Sequence, residues 1–270
     1  MMKMKIKIPL LLSSLFALFA CNPTPTINEL CEMHADVCED FIADSWCKAE
    51  RKQILLGYHE LELTNTDVNK YRLLIKFEDY KDCMSHASKI EHIKLKEKQT
   101  YRIQNKEKAL EKIKLLSEET KNSDDPYLLY YHWSRYLNKN ALEKFKALEG
   151  SHQLETPELQ FFMATYYTKI DDKKTLMLLY HALELYQEGD DINVELLKSL
   201  ITIFTDKKEY KKAYIWLKVL YLYQPDSNDI SEKSLSAFAQ LHRLNAEFLD
   251  KVASSTLDKI ESGQFKSPKL

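Results

Sequence analysis

The chain has 270 residues, enough for one large or two modest domains with a buried core. Only 4 Gly and 7 Pro stand against 16 Tyr and 11 Phe, which suits helices joined by short turns. It excludes the glycine-rich loops of nucleotide-binding α/β folds and closely turned β-sandwiches. The formal charge of −2, or −5 without Lys3, Lys5 and Lys7, gives no electrostatic reason to bind nucleic acid. The expectation is an all-α protein.

Residues 1–20 open with a basic head, Met1–Lys7, and continue with the 13-residue apolar stretch Ile8–Ala20. That stretch is shorter than the roughly 20 residues of a membrane-spanning helix and describes a secretory signal peptide. Its end, Leu18-Phe19-Ala20-Cys21, resembles the lipobox of bacterial lipoproteins, with Leu three before the Cys and a small residue just before it. The resemblance implies cleavage before Cys21 and lipidation of Cys21. Three acyl chains would exceed the two signals that stable membrane anchoring requires. Asn22 is not the Asp that retains lipoproteins in the inner membrane of enteric bacteria, so the same resemblance implies the outer membrane, facing the periplasm. Residues 21–26 are then an acylated tether, of which Asn22–Thr26 spans about 15 Å in polyproline geometry.

Residues 27–121 read as a helical region bearing Cys31, Cys38, Cys47 and Cys83. An even number of cysteines in an oxidising compartment points to two disulfides. Three connectivities are open, and Cys31–Cys38 with Cys47–Cys83 is favoured. There is no CxxC, and Cys83, His86 and His92 lack a further close ligand, so neither a metal nor a cofactor is expected. Tyr71, Leu74, Phe77 and Met84 recur on one helical face, with Asp67 as the expected N-cap. Ile103, Leu110, Ile113 and Leu116 mark a second apolar face. The nine basic and four acidic residues between Lys89 and Lys114 read as a solvated helix surface.

Residues 122–227 carry the clearest organisation. Tetratricopeptide units are helix pairs of 34 residues with small and bulky residues at set positions. Ala141, Thr175 and Ala213 take the small position of successive second helices, 34 and 38 residues apart. Leu128 and Tyr131, then Leu159 and Phe162, then Leu197, Leu200 and Phe204 fall on the first helices. The extra four residues fit the turn Gln187–Asp191. The expected architecture is a tetratricopeptide-like array of stacked hairpins, with an irregular helical bundle as the alternative. Residues 228–262 supply capping helices, over Ile230–Leu249 and Val252–Ile260. Gly263 stops the last helix, and Lys266–Leu270 reads as a loose end.

The lipobox, the clustered cysteines Cys31, Cys38 and Cys47, and the stretch from Leu148 to Thr156 together resemble a family of uncharacterised Gram-negative lipoproteins with a domain of unknown function. The resemblance supports the anchor and the helical repeats and brings no catalytic residue with it.

GxSxG, HExxH, GxxxxGK[ST] and GxGxxG are all missing from the sequence. The eight histidines share no spacing, and His181 reads as a packed or rim residue. No catalytic residue is expected. The aromatics of the repeats are mostly core, yet the alignment places Tyr130 and Trp133, Tyr167, and Thr202 on the inner surface of successive first helices. Aromatic side chains there suit protein binding. The expected function is a membrane-anchored scaffold for another envelope protein. The alternative is an envelope protein that binds or modifies peptidoglycan or glycans.

Overall fold

The computed structural model describes residues 24–91, 95, 97–226 and 230–269. The lipobox, Cys21 and His92 lie outside the described residues. Thirteen helices and no strand occur among the described residues. They are α1 (Ile27–Met33), α2 (Ala35–Asp40), α3 (Lys48–Leu63), α4 (Asp67–Ala87), α5 (Glu97–Thr120), α6 (Pro126–Tyr136), α7 (Lys139–Ala147), α8 (Pro157–Tyr167), α9 (Asp172–Leu185), α10 (Val194–Asp206), α11 (Tyr210–Tyr223), α12 (Glu232–Leu241) and α13 (Ala246–Glu261). The all-α expectation holds.

Local chemistry sets the helix starts. Thr26 and Glu29 form a reciprocal capping box at α1. Asp125 and Thr156 cap α6 and α8, each followed by Pro at the first helical position, where a missing N–H costs nothing. At α4 the cap is Thr66, whose hydroxyl accepts from the Asn69 N–H, and not Asp67, which is the first helical residue.

The helices pair as hairpins: α3 with α4, α4 with α5, α6 with α7, α8 with α9, and α10 with α11. The last three occupy the segments marked by the small-residue spacing, and Ala141, Thr175 and Ala213 are all buried. Gly57 lets α3 lie close on α4, since a Cβ there would stand 2.9 Å from Leu73 Cδ1.

One core runs from Leu30 through α3–α5 to Met163, across the junction of the cysteine-bearing region with the hairpins. A second begins at Ala164 of the same helix and continues through α9–α11 to α13. Phe161 and Leu178 touch both. The chain thus packs continuously through α8.

The cysteines form Cys31–Cys38, tying α1 to α2, and Cys47–Cys83, tying the start of α3 to α4. Polar side chains complete the clasp. The buried Arg51 donates to the carbonyls of Phe41 and Cys38 at the end of α2, 2.8 and 3.2 Å away. Buried Asn105 accepts from the Ile42 N–H and donates to the Ile42 carbonyl. Arg102, only 2% exposed, donates to Asp44 and to the Ala87 carbonyl.

These contacts correct the reading of α5. Its inward face is Arg102, Asn105, Ala109, Ile113, Leu116, Ser117 and Thr120, whereas Ile103 and Leu110 are exposed. Nor is the basic surface wholly solvated, because Lys108 and Lys112 both bond Asp40, at 3.2 and 2.7 Å. The C-terminal helices also differ from expectation. The break falls at His242–Asn245, so α13 begins at Ala246. The tail is docked: Phe265 is buried against Tyr180 and Trp216, and the Ser267 N–H donates to Glu184.

Two predictions follow from the clasp. The bridges span sequence separations of 7 and 36 residues, so chain entropy assigns them roughly 2.5 and roughly 4 kcal/mol. Cys47→Ala/Cys83→Ala should therefore lower the urea midpoint more than Cys31→Ala/Cys38→Ala, and equal losses would refute the ranking. Burial alone would raise the Asp44 pKa, but hydrogen bonds from Arg102 and the Trp46 N–H, with the Arg102 charge, hold it below the ordinary value. The stability it contributes is complete above an ordinary aspartate pKa of about 3.9 and disappears as pH falls through the lower folded value. Asp44→Asn should cost about 3 kcal/mol at neutral pH, because the guanidinium stays buried. The gap from wild type should close in acid, as measured by urea unfolding at several pH values.

Candidate functional site

Three of the four residues assigned to the inner surface come together. Tyr130 and Trp133 lie one turn apart on α6 with ring centroids 5.7 Å apart. Trp133 meets Tyr166 of α8 at 5.6 Å, and Tyr166 meets Tyr167 at 4.9 Å. The edge-to-face geometry of all three contacts matches the preference of aromatic quadrupoles. The result is a half-buried aromatic ladder across two successive hairpins.

Its members differ in role. Tyr130 stacks flat on the core residue Phe162, 3.8 Å away and within 5° of parallel, so it is anchored inward. Trp133 also packs on the first core, and Lys146 lies 5.4 Å over the Tyr166 ring. Tyr167 donates to Glu149 at 2.7 Å, while Lys174 stands 4.2 Å over its ring and pairs with Glu149. The bond to Glu149 pushes Lys174 up to about 12. Burial would raise Glu149, but hydrogen bonds from Lys174 and Tyr167 outweigh it and lower its pKa. The ladder therefore ends in a fixed, fully charged pair. Thr202 stands apart on α10: it is exposed, and its hydroxyl donates to the Lys198 carbonyl.

A concavity of about 390 Å³ lies between α9, α11, α13 and the tail. Tyr180, Ile215, Trp216, Val252 and Phe265 line it, together with Lys212, Lys259 and Lys266. The Gly263 conformation, φ +67°, turns the chain so that Phe265 can enter it. Sequence reasoning missed this feature, since a single Phe after a helix-ending Gly has no periodicity to betray it.

The histidines have varied partners. His181 lies 2.8 Å from Glu155 and 3.5 Å from Glu184, on the rim as expected. His132 is buried against the Thr120 hydroxyl, and burial lowers its pKa. His86 Nδ1 bonds the Asp82 carbonyl, and Cys83 is engaged in its disulfide. His34 and His59, 25 residues apart in the chain, meet edge to face at 5.7 Å, a proximity that spacing did not reveal.

Removing the Phe265 ring should empty the slot between Tyr180 and Trp216. Phe265→Ala is expected to cost about 3 kcal/mol and to shift Trp216 emission to longer wavelength. Unchanged stability and fluorescence would show that the tail is not held there.

No curated protein and no solved structure matches the chain. A family described as "Protein of unknown function (DUF2989)" matches residues 18–218, which includes every residue of the aromatic ladder. With well over half of its length matched, the chain belongs to that family of proteins of unknown function.

Proposed function

We propose that the chain is a lipoprotein of the outer membrane, anchored through Cys21 and facing the periplasm, whose hairpins form a tetratricopeptide-like scaffold for another protein of the cell envelope. The anchor rests on Leu18-Phe19-Ala20-Cys21 and the basic, apolar segment before it. The scaffold rests on three consecutive hairpins, α6–α7, α8–α9 and α10–α11, with buried small residues at spacings of 34 and 38.

The observation that carries the binding role is the ladder of Trp133, Tyr166 and Tyr167. These rings are half-buried, held rigidly by one another and rimmed by Lys146, Glu149 and Lys174. Preorganised aromatic groups with a charged rim have the composition of an interface hot spot. The glycan-directed alternative calls for two carboxylates beside an aromatic cleft. The charged residues lining the Trp216 cleft are Lys212, Lys259 and Lys266, whereas Glu50, Asp79 and Asp82 converge beside Trp46 in a separate, shallower depression, and that arrangement is what favours the alternative.

Crosslinking in intact envelopes, followed by purification of the full chain, tests the proposal. Trp133→Ala/Tyr167→Ala spares the Tyr130–Phe162 stack and should reduce recovery of a specific partner at least tenfold, the effect of losing about 1.4 kcal/mol. The circular dichroism spectrum should not change. Cys21→Ser should release the protein from the membrane fraction and lose the same partner. Undiminished capture by the double variant would remove the ladder from the interface, and membrane retention of Cys21→Ser would remove the lipid anchor.

A further inference from the structure

The geometry points to a divalent transition-metal site, with the preferences of Zn²⁺, formed by His34, His59 and Glu62. His34 is the junction residue between α1 and α2, and the Cys31–Cys38 bridge closes around that junction. His59 and Glu62 stand three residues apart on α3, a spacing that puts them on one face of the helix. The site thus joins two elements that are separate in sequence.

Two of its nitrogens are otherwise unexplained. His34 is 8% exposed, and both its Nε2 and the Nδ1 of His59 are buried without a hydrogen-bond partner. A buried polar atom left unsatisfied is costly, so such atoms mark a missing partner. Glu62 Oε2 stands 3.7 Å from His34 Nε2, too far for a hydrogen bond. One ligand atom from each of the three residues can be chosen so that all lie within 4.8 Å of one another.

Bonds of about 2.0–2.1 Å in a tetrahedral zinc site put ligand atoms about 3.3 Å apart. The set therefore needs to close by at most about 1.5 Å. Glu62 can supply that movement, because its side chain is 72% exposed. Two neutral imidazoles and one carboxylate suit Zn²⁺ and its neighbours in the transition series, whereas Ca²⁺ and Mg²⁺ take oxygen ligands. Three protein ligands also leave a fourth position for solvent or an incoming donor atom. Occupancy would pin the α1–α2 segment to α3.

The test is titration of the untagged full chain in detergent with ZnCl₂, by calorimetry and by competition with a chromogenic chelator. Wild type should bind one equivalent, and the melting temperature should rise with added metal. Cobalt should give the absorption bands of a tetrahedral site. His34→Gln and His59→Gln should each weaken binding about 100-fold or more, Glu62→Gln about tenfold or more, and His86→Gln should not change it, in line with the 10–100-fold that even supporting groups contribute at metal sites. Glu62→Gln, at an exposed position, keeps the test decisive if a histidine variant fails to fold. Absence of stoichiometric binding in wild type, or equal affinity in wild type and Glu62→Gln, would overturn the assignment.

Discussion

The buried ring of Tyr71 holds the two halves of this molecule together. It projects from α4, and its neighbours are the rings of Tyr127 and Tyr131 on α6 and Phe162 on α8, at 5.1, 6.4 and 6.3 Å. Its hydroxyl donates to Glu158 at the start of α8. Burial raises the pKa of Glu158 against the opposing effects of the Tyr71 hydrogen bond and Arg72, which shows how far this joint is withdrawn from water. Alongside it, Glu78 of α4 receives hydrogen bonds from Tyr131 and Arg135. A helical hairpin cannot cover its own apolar face. The disulfide-clasped helices α3–α5 cover the first face of the hairpin series, and the Tyr71 joint is where they do it.

That joint also explains the shape of the aromatic ladder. Phe162 meets Tyr71 and Tyr127 edge to face and stacks flat on Tyr130. Ring contacts run from Phe162 to Tyr130, Trp133, Tyr166 and Tyr167, and Tyr130, Trp133 and Tyr167 also pack on the first core. Rings held in this way would lose little side-chain freedom to a partner. Thr202 has no place in this sequence of contacts, because α10 belongs to the second core.

The hairpins were legible because their signals are local. Small residues at Ala141, Thr175 and Ala213, with bulky residues such as Leu159 and Phe162 on the helix before, each act within a single helix pair. What escaped depends on distant partners. The inward face of α5 is built on Arg102 and Asn105, which are buried only because the 41–47 loop brings backbone groups and Asp44 to meet them. An apolar-periodicity reading turns to Ile103 and Leu110 instead, on the exposed side. Phe265 and the His34–His59 contact were hidden for the same reason: one docks between α9 and α11, and the other bridges a tight junction and a long helix.

The turns show how a chain with so little glycine closes its hairpins. After α10 the N–H groups of Lys208 and Glu209 reach back to Thr205 and Phe204, and after α12 those of Arg243 and Leu244 reach back to Gln240 and Ala239. Both are Schellman closures, and they put Lys208 and Arg243 at φ near +59° and +53°. Gly263 makes the same closure after α13. Left-handed backbone costs a non-glycine residue roughly 1 kcal/mol or more, so local preference does not select this turn at Lys208 or Arg243. The packing of the flanking helices imposes it. The two helices that follow and precede the second of these turns pack on α11 rather than on each other: α13 lies along α11, while α12 meets it through Leu235 and Ala239.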